Sequence, residues 1–268
     1  MSAAGIIDKA AVIARRDLLT AIRYRRAFLI TIAGAFAELA AFYYLARAIG
    51  PTFRPEGIAY FPFLVVGTGF YTFLIMSINS FVAVVQDAQH SGTLEVLLTT
   101  ATPAPLLVVL SAMSSLLQNA VQFAVYIVAG LLLARSTPHV NVLAAVLVVF
   151  CSVAIVIAVG LIAAGLQLAL QKGSSVVWLI GSLSWLMTGT IFPTTALPSQ
   201  LRTISQAIPI THSLAAMRLA MLHDTNFSSV ARELAVLAVF AAVLLPAGVW
   251  TFSYALRRAR LEGTLSFY

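Results

Sequence analysis

Glu38 is the only acid deep inside any long apolar run of this chain, so its carboxylate is the first group to question for chemistry. An ionised carboxylate in hydrocarbon is expensive, which leaves Glu38 protonated, paired or facing water. A place on a transport pathway and a protonated tie between two helices both suit it. Further along, Ser111, Ser115, Gln118 and Gln122 recur at steps of four, three and four, with Asn119 beside them. A polar stripe of this kind either lines a pathway or supplies interhelical hydrogen bonds of about 0.6–2 kcal/mol each, and the balance tips toward the second use. Phe70, Tyr71 and Phe73 form a deep aromatic group that could touch an apolar or sugar-bearing substrate, with core packing the simpler reading. An outer group, Phe42, Tyr43, Tyr44, Phe53, Tyr60, Phe61 and Phe63, reads as an interfacial belt.

The elements that must hold these groups follow from composition. Of 268 residues 61% are hydrophobic and only 9% charged, and the apolar runs are long enough to cross roughly 30 Å of hydrocarbon. The expected fold is an all-α integral membrane protein with six transmembrane helices at 27–49, 60–85, 104–134, 141–170, 175–192 and 229–256. Residues 1–26 form a basic amphipathic helix whose apolar stripe suits an anionic leaflet, although a plain basic flank would orient the first span equally well. An even number of spans returns the 257–268 tail to the cytoplasm with the N-terminus. Ten basic residues then fall inside and six outside, as the positive-inside rule expects. The net charge of +7 is thereby explained by topology, and nucleic acid is not expected as a partner.

Two connections stand out. Segment 86–103 is cytoplasmic on this topology, yet it holds Asp87, His90 and Glu95 and no Lys or Arg. It reads as a short amphipathic helix opened by Gly92, with Glu95 in its first turn and Leu94, Leu97 and Leu98 on one face. An acidic, Leu-faced helix suits a cleft on a protein partner better than a lipid surface, the bland alternative being a turn packed on its own neighbours. Segment 193–226 is punctuated by Pro193, Pro198 and Pro209 into two short amphipathic helices, the first about three turns long. Neither can cross a bilayer, so both are expected to dip in from the outside and return.

Several chemistries are excluded by what these residues do not contain. No G-x-x-x-x-G-K-[ST] loop occurs, so any ATP-driven motor must be another polypeptide. No H-E-x-x-H and no intramembrane acid pair is present, and His90, His139, His212 and His223 all fall in loops or loop helices as capping or surface groups. Cys151, the single cysteine, sits in an apolar run and provides neither a disulfide nor a zinc site.

Two stretches carry a family resemblance. Gly92-Thr93-Leu94-Glu95-Val96-Leu97-Leu98, followed by Pro103, resembles the Gly-Thr-Leu-Glu-x-Leu-Leu signature after the second span in permease subunits of type-2 ATP-binding-cassette exporters. Phe192-Pro193, Leu197-Pro198, Leu201, Ile204, Pro209, Thr211-His212, Leu214 and Arg218 resemble that family's segment between the fifth and sixth spans. Gln86-Asp87-Ala88-Gln89-His90 departs from the charged Glu-Arg-like run usual before the signature, and Pro103 arrives late.

The resemblance implies a homodimer, or a dimer with a similar permease, in a bacterial cytoplasmic membrane, bound to two cytoplasmic ATPase subunits. ATP and Mg would sit on those partners, and this chain would bind no cofactor and catalyse nothing. Asp87, Gly92, Thr93, Leu94, Glu95, Leu97 and Leu98 would couple to the ATPase, and Phe192, Pro193, Pro198, Pro209 and His212 would belong to an outer gate. Glu38, Ser111, Ser115, Gln118, Gln122, Phe70 and Tyr71 are the candidates for the path of an amphiphilic drug, lipid or lipid-linked glycan. The rival classes are a lipid-modifying membrane enzyme, which wants paired carboxylates or a His-bearing site at one membrane face, and an ATP-independent carrier, which often shows internal repeats.

Overall fold

A computed structural model of the chain describes residues 25–92, 102–134, 140–170, 173–223 and 227–262. Its helices are α1 Arg25–Ile49, α2 Tyr60–His90, α3 Ala104–Leu133, α4 Val142–Leu170, α5 Gly173–Met187, α6 Ser199–Gln206, α7 Pro209–Leu222 and α8 Phe227–Glu262. Among the described residues four helices, α2, α3, α4 and α8, are long and apolar enough to cross a membrane. α1 has 25 residues and α5 has 15. The chain is a multi-pass membrane protein.

α2 is the central post of the bundle. Phe63, Leu64, Val65, Val66, Phe70, Phe81 and Val85 are each fully buried on it, and it packs against α1, α3, α4, α5 and α7. The most extensive helix pair is α4 with α8. Glycine permits that closeness: a Cβ on Gly248 of α8 would lie 2.5 Å from the Ala158 carbonyl oxygen, and one on Gly165 of α4 would lie 3.2 Å from the Phe252 Cα. Lipid offers no hydrophobic gain for joining two apolar helices, so dispersion across a close backbone approach has to hold them.

Several expected boundaries move, each for a local reason. α2 runs five residues past 85, to His90, and at about 46 Å it overshoots the hydrocarbon, so its last polar turns reach the membrane surface. Gly92, expected to open a helix, instead closes one. Its φ of 65° and its N–H donating to the Gln89 carbonyl at 3.3 Å make the left-handed cap at the end of α2. α5 stops at Met187 and not at 192, because Gly189 turns the chain at a φ of 80° while the Thr188 hydroxyl donates back to the Ser184 carbonyl at 2.7 Å. α6 has eight residues, nearer two turns than three. α8 continues through the basic residues expected in the tail as far as Glu262, which receives the Arg258 Nε–H at 2.7 Å one turn away. Most of the segment 1–26, residues 93–101 and the end of the tail lie outside the described residues.

Candidate functional site

Halfway along α1, α2 and α3 the three helices enclose a groove of about 370 Å³, within the size range of small-molecule sites. Glu38 lines it from α1, Thr72 and Phe73 from α2, and Asn119, Gln122, Phe123 and Tyr126 from α3. The Gly69 position makes room, because a Cβ there would run into the Tyr126 ring, 2.6 Å from its Cδ1. Tyr126 is held by its hydroxyl, 3.2 Å from the Thr68 hydroxyl, which donates in turn to the Leu64 carbonyl at 2.8 Å. The Asn119 amide points at the Ser77 hydroxyl, 3.4 Å away. Among the described residues neither Glu38 nor Gln122 has a hydrogen bond or ion pair.

The other path candidates separate from these two. Phe70 is wholly buried in the core, stacked at 5.9 Å on Phe73 and tilted at 5.2 Å from Phe123. Tyr71 is buried and donates its hydroxyl to the Gly181 carbonyl, tying α2 to α5. Ser111 and Gln118 are exposed and Ser115 is half-buried, and none of the three reaches the groove. Phe123 and Tyr126 went unremarked in the sequence. The signal was available: Asn119, Gln122, Phe123 and Tyr126 lie at steps of three, one and three, on one face of a helix.

A second cluster is built between α5 and α8, around α6 and α7. Pro193 precedes a single 3₁₀ turn at Thr194–Ala196, Pro198 precedes α6 and Pro209 is the first residue of α7, where its missing N–H costs nothing. Phe192 and Pro193 are half-buried and Pro198 is exposed. The α6–α7 connection is fastened by the Ser205 hydroxyl on the Met187 carbonyl at 2.7 Å and the Thr211 hydroxyl on the Ser205 carbonyl at 2.7 Å. α7 is too short to cross a bilayer, yet Ser213, Leu214, Ala216, Met217, Arg218 and Ala220 are buried on it, and it packs on α2, α4 and α8.

Two charged groups stand out in that cluster. His212 places Nδ1 2.8 Å from the Glu233 carboxylate of α8 and Nε2 3.0 Å from the Gln206 carbonyl. The Glu233 hydrogen bond, opposed by partial burial, raises the imidazole above its ordinary value. Arg218 is 3% exposed. Its guanidinium donates to the Thr190 carbonyl at 3.0 Å and lies over the Phe63 ring, 3.6 Å from the centroid. Burial pushes it down to about 10, the field of Glu56 partly opposing, so it stays charged at neutrality.

Asp87 is exposed on the last turns of α2. Gln89, in the same stretch, is buried 3.3 Å from Gln167 of α4, so this face of segment 86–103 turns into the bundle and not toward a partner. Thr93, Leu94, Glu95, Leu97 and Leu98 lie outside the described residues. Among the described residues no three of His, Cys, Asp and Glu gather closely enough to hold a metal ion.

The described chain is a helical, multi-pass membrane bundle with a polar groove halfway along α1, α2 and α3 and a buried hairpin between α5 and α8. Residues 50–250 match the family described as ABC-2 family transporter protein, and the chain belongs to that family. No curated protein sequence matches it. The chain is accordingly a membrane permease of an ATP-binding-cassette transporter, and the family implies a partner ATPase.

Proposed function

We propose that this permease is the membrane half of an ATP-driven exporter for an amphiphilic substrate, with α1 and α5 completing six spans and both termini in the cytoplasm of a bacterial cell. The observation that carries this reading is the family match over 50–250 joined to 268 residues without a phosphate-binding loop. ATP and Mg then belong to two copies of the partner, and a second permease copy completes the pathway. Segment 86–103 is the coupling contact and 193–226 is the outer gate. Binding of ATP tilts the equilibrium between gate states only through its different affinity for the two motor conformations. The burial of α7, against α2 of the groove and α8 of the cytoplasmic end, supports a gate that responds to span movement.

The test is co-purification of the permease with its ATPase, and ATP-dependent uptake by inverted vesicles, in wild type and Glu95→Arg. The expected result is a complex and uptake in wild type, with the complex lost or hydrolysis uncoupled in the variant. A normal complex and normal transport-linked hydrolysis in Glu95→Arg would remove the coupling role, and a permease that captures no ATPase would overturn the reading.

A further inference from the structure

We propose that the groove between α1, α2 and α3 is a binding site for a cationic amphiphile, an inference that narrows the substrate class under the exporter reading. The groove presents one carboxylate, that of Glu38, and no Lys or Arg lines it. Glu38 has no ion pair or hydrogen bond with a described residue, so nothing within the described chain neutralises it. A positive ligand group would. The rest of the wall is suited to the same charge: Phe73, Phe123 and Tyr126 bring three aromatic rings, whose negative faces attract cations. The amide oxygens of Asn119 and Gln122 add acceptors for an ammonium.

The surroundings favour an amphiphile over a small hydrated ion. Much of the wall is hydrocarbon, from Phe73, Phe123 and the Met76 side chain, and such a wall gains by burying hydrocarbon. Its depth agrees: Glu38 lies about 20 Å of helix beyond Arg25 and about 17 Å before Ile49. A carboxylate held at mid-depth beside aromatic rings selects for ligands that bring charge and hydrocarbon together, and it disfavours anionic ones by like-charge repulsion.

The test uses two probes of matched shape and opposite charge, tetraphenylphosphonium and tetraphenylborate, with the full chain in phosphatidylcholine nanodiscs and empty nanodiscs as reference. Saturable tetraphenylphosphonium binding is expected, roughly tenfold weaker in Glu38→Gln and largely retained in Glu38→Asp, with tetraphenylborate binding unimproved by the carboxylate. A folding control is the unfolding temperature of each variant, and Phe123→Leu provides a second lesion that weakens phosphonium binding without touching the carboxylate. Equal phosphonium binding by wild type and by both Glu38→Gln and Phe123→Leu, each folded, overturns the proposal, as does absence of saturable binding in wild type. Binding needs no ATPase, so a positive result in a chain that supports no ATP-dependent uptake sinks the exporter reading alone. ATP-dependent uptake of a different cargo, indifferent to Glu38→Gln, sinks the cation site alone.

Discussion

The imidazole of His212 bridges two acceptors, the Glu233 carboxylate at 2.8 Å and the Gln206 carbonyl at 3.0 Å. Neither acceptor can donate, so both ring nitrogens must, and the ring that satisfies both contacts is the imidazolium. A charged His212 therefore closes a three-part joint, linking the end of α6, the first turn of α7 and the start of α8. Residue type alone marked His212 as a surface or capping group, and the family resemblance placed it among the outer-gate candidates. Its contact with Glu233 is the only ion pair between two different helices among the described residues.

That joint should open with rising pH. The folded-state value of His212 is raised above the ordinary 6.5, so its contribution is complete below about pH 6.5 and is lost as pH climbs through the raised value. Hydrogen exchange of the 199–222 backbone is expected to be slowest near pH 6 and to quicken above it, after correction for the intrinsic pH dependence of exchange. Glu233→Gln should abolish the dependence and cost about 1 kcal/mol, as loss of a partly exposed charged hydrogen bond does. A corrected profile identical in wild type and variant would mean that His212 is neutral throughout.

How much of this was legible in the chain depends on whether a feature is local. The four helices long enough to span, α2, α3, α4 and α8, lie where apolar runs predict them, and the prolines at 198 and 209 mark the starts of α6 and α7. Glu38 and Gln122 were visible because a polar residue inside an apolar span has few neutral explanations. Phe123 and Tyr126 were silent because an aromatic residue in such a span is ordinary. The true end of α2 was hidden by the polar composition of 86–90, which reads as a loop until Gln89 meets Gln167, 78 residues away. Arg218 was named only as part of a motif. Its partners are a backbone carbonyl and a ring face, and neither leaves a trace in residue type.

Arg218 should tolerate a hydrophobic replacement better than a lysine. Its buried charge has one carbonyl and one ring for company, and Nε has no hydrogen-bond partner. An incompletely compensated buried charge costs several kcal/mol, and apolar isosteres of such groups are often neutral or stabilising by about 1–4 kcal/mol. Arg218→Met is expected to match or exceed the wild-type unfolding temperature in detergent. Arg218→Lys keeps the charge but loses the planar stack on Phe63, and it should fall below wild type. The reverse order would show that the guanidinium contacts outweigh its desolvation.

Gly67→Ala tests the same spot from the other side. A Cβ at Gly67 would meet the Arg218 guanidinium and lie 2.5 Å from the Thr190 carbonyl oxygen. Thr190 is backbone at a turn and cannot swing away, so the variant should break the Arg218–Thr190 hydrogen bond and loosen α7 from α2. The expected loss is about 1–3 kcal/mol, with faster thiol labelling of a cysteine placed at buried Ser213 in a Cys151→Ser background. Unchanged labelling would exclude this contact as the fastener of α7.

Gly248→Ala sets helix propensity against packing, and packing should win. In an isolated helix the change favours folding by about 1 kcal/mol. Here the new methyl would stand 2.5 Å from the Ala158 carbonyl oxygen and 3.2 Å from its Cα. Both are backbone of α4, so α4 and α8 must separate along their most extensive contact, at a cost of about 1–3 kcal/mol. Gly34→Ala in α1 provides the opposite case, because nothing lies within 4 Å of a Cβ there. The pair of variants should therefore move the unfolding temperature in opposite directions, Gly248→Ala downward and Gly34→Ala level or slightly upward. Two shifts of the same sign would mean that propensity, and not the α4–α8 approach, governs both sites.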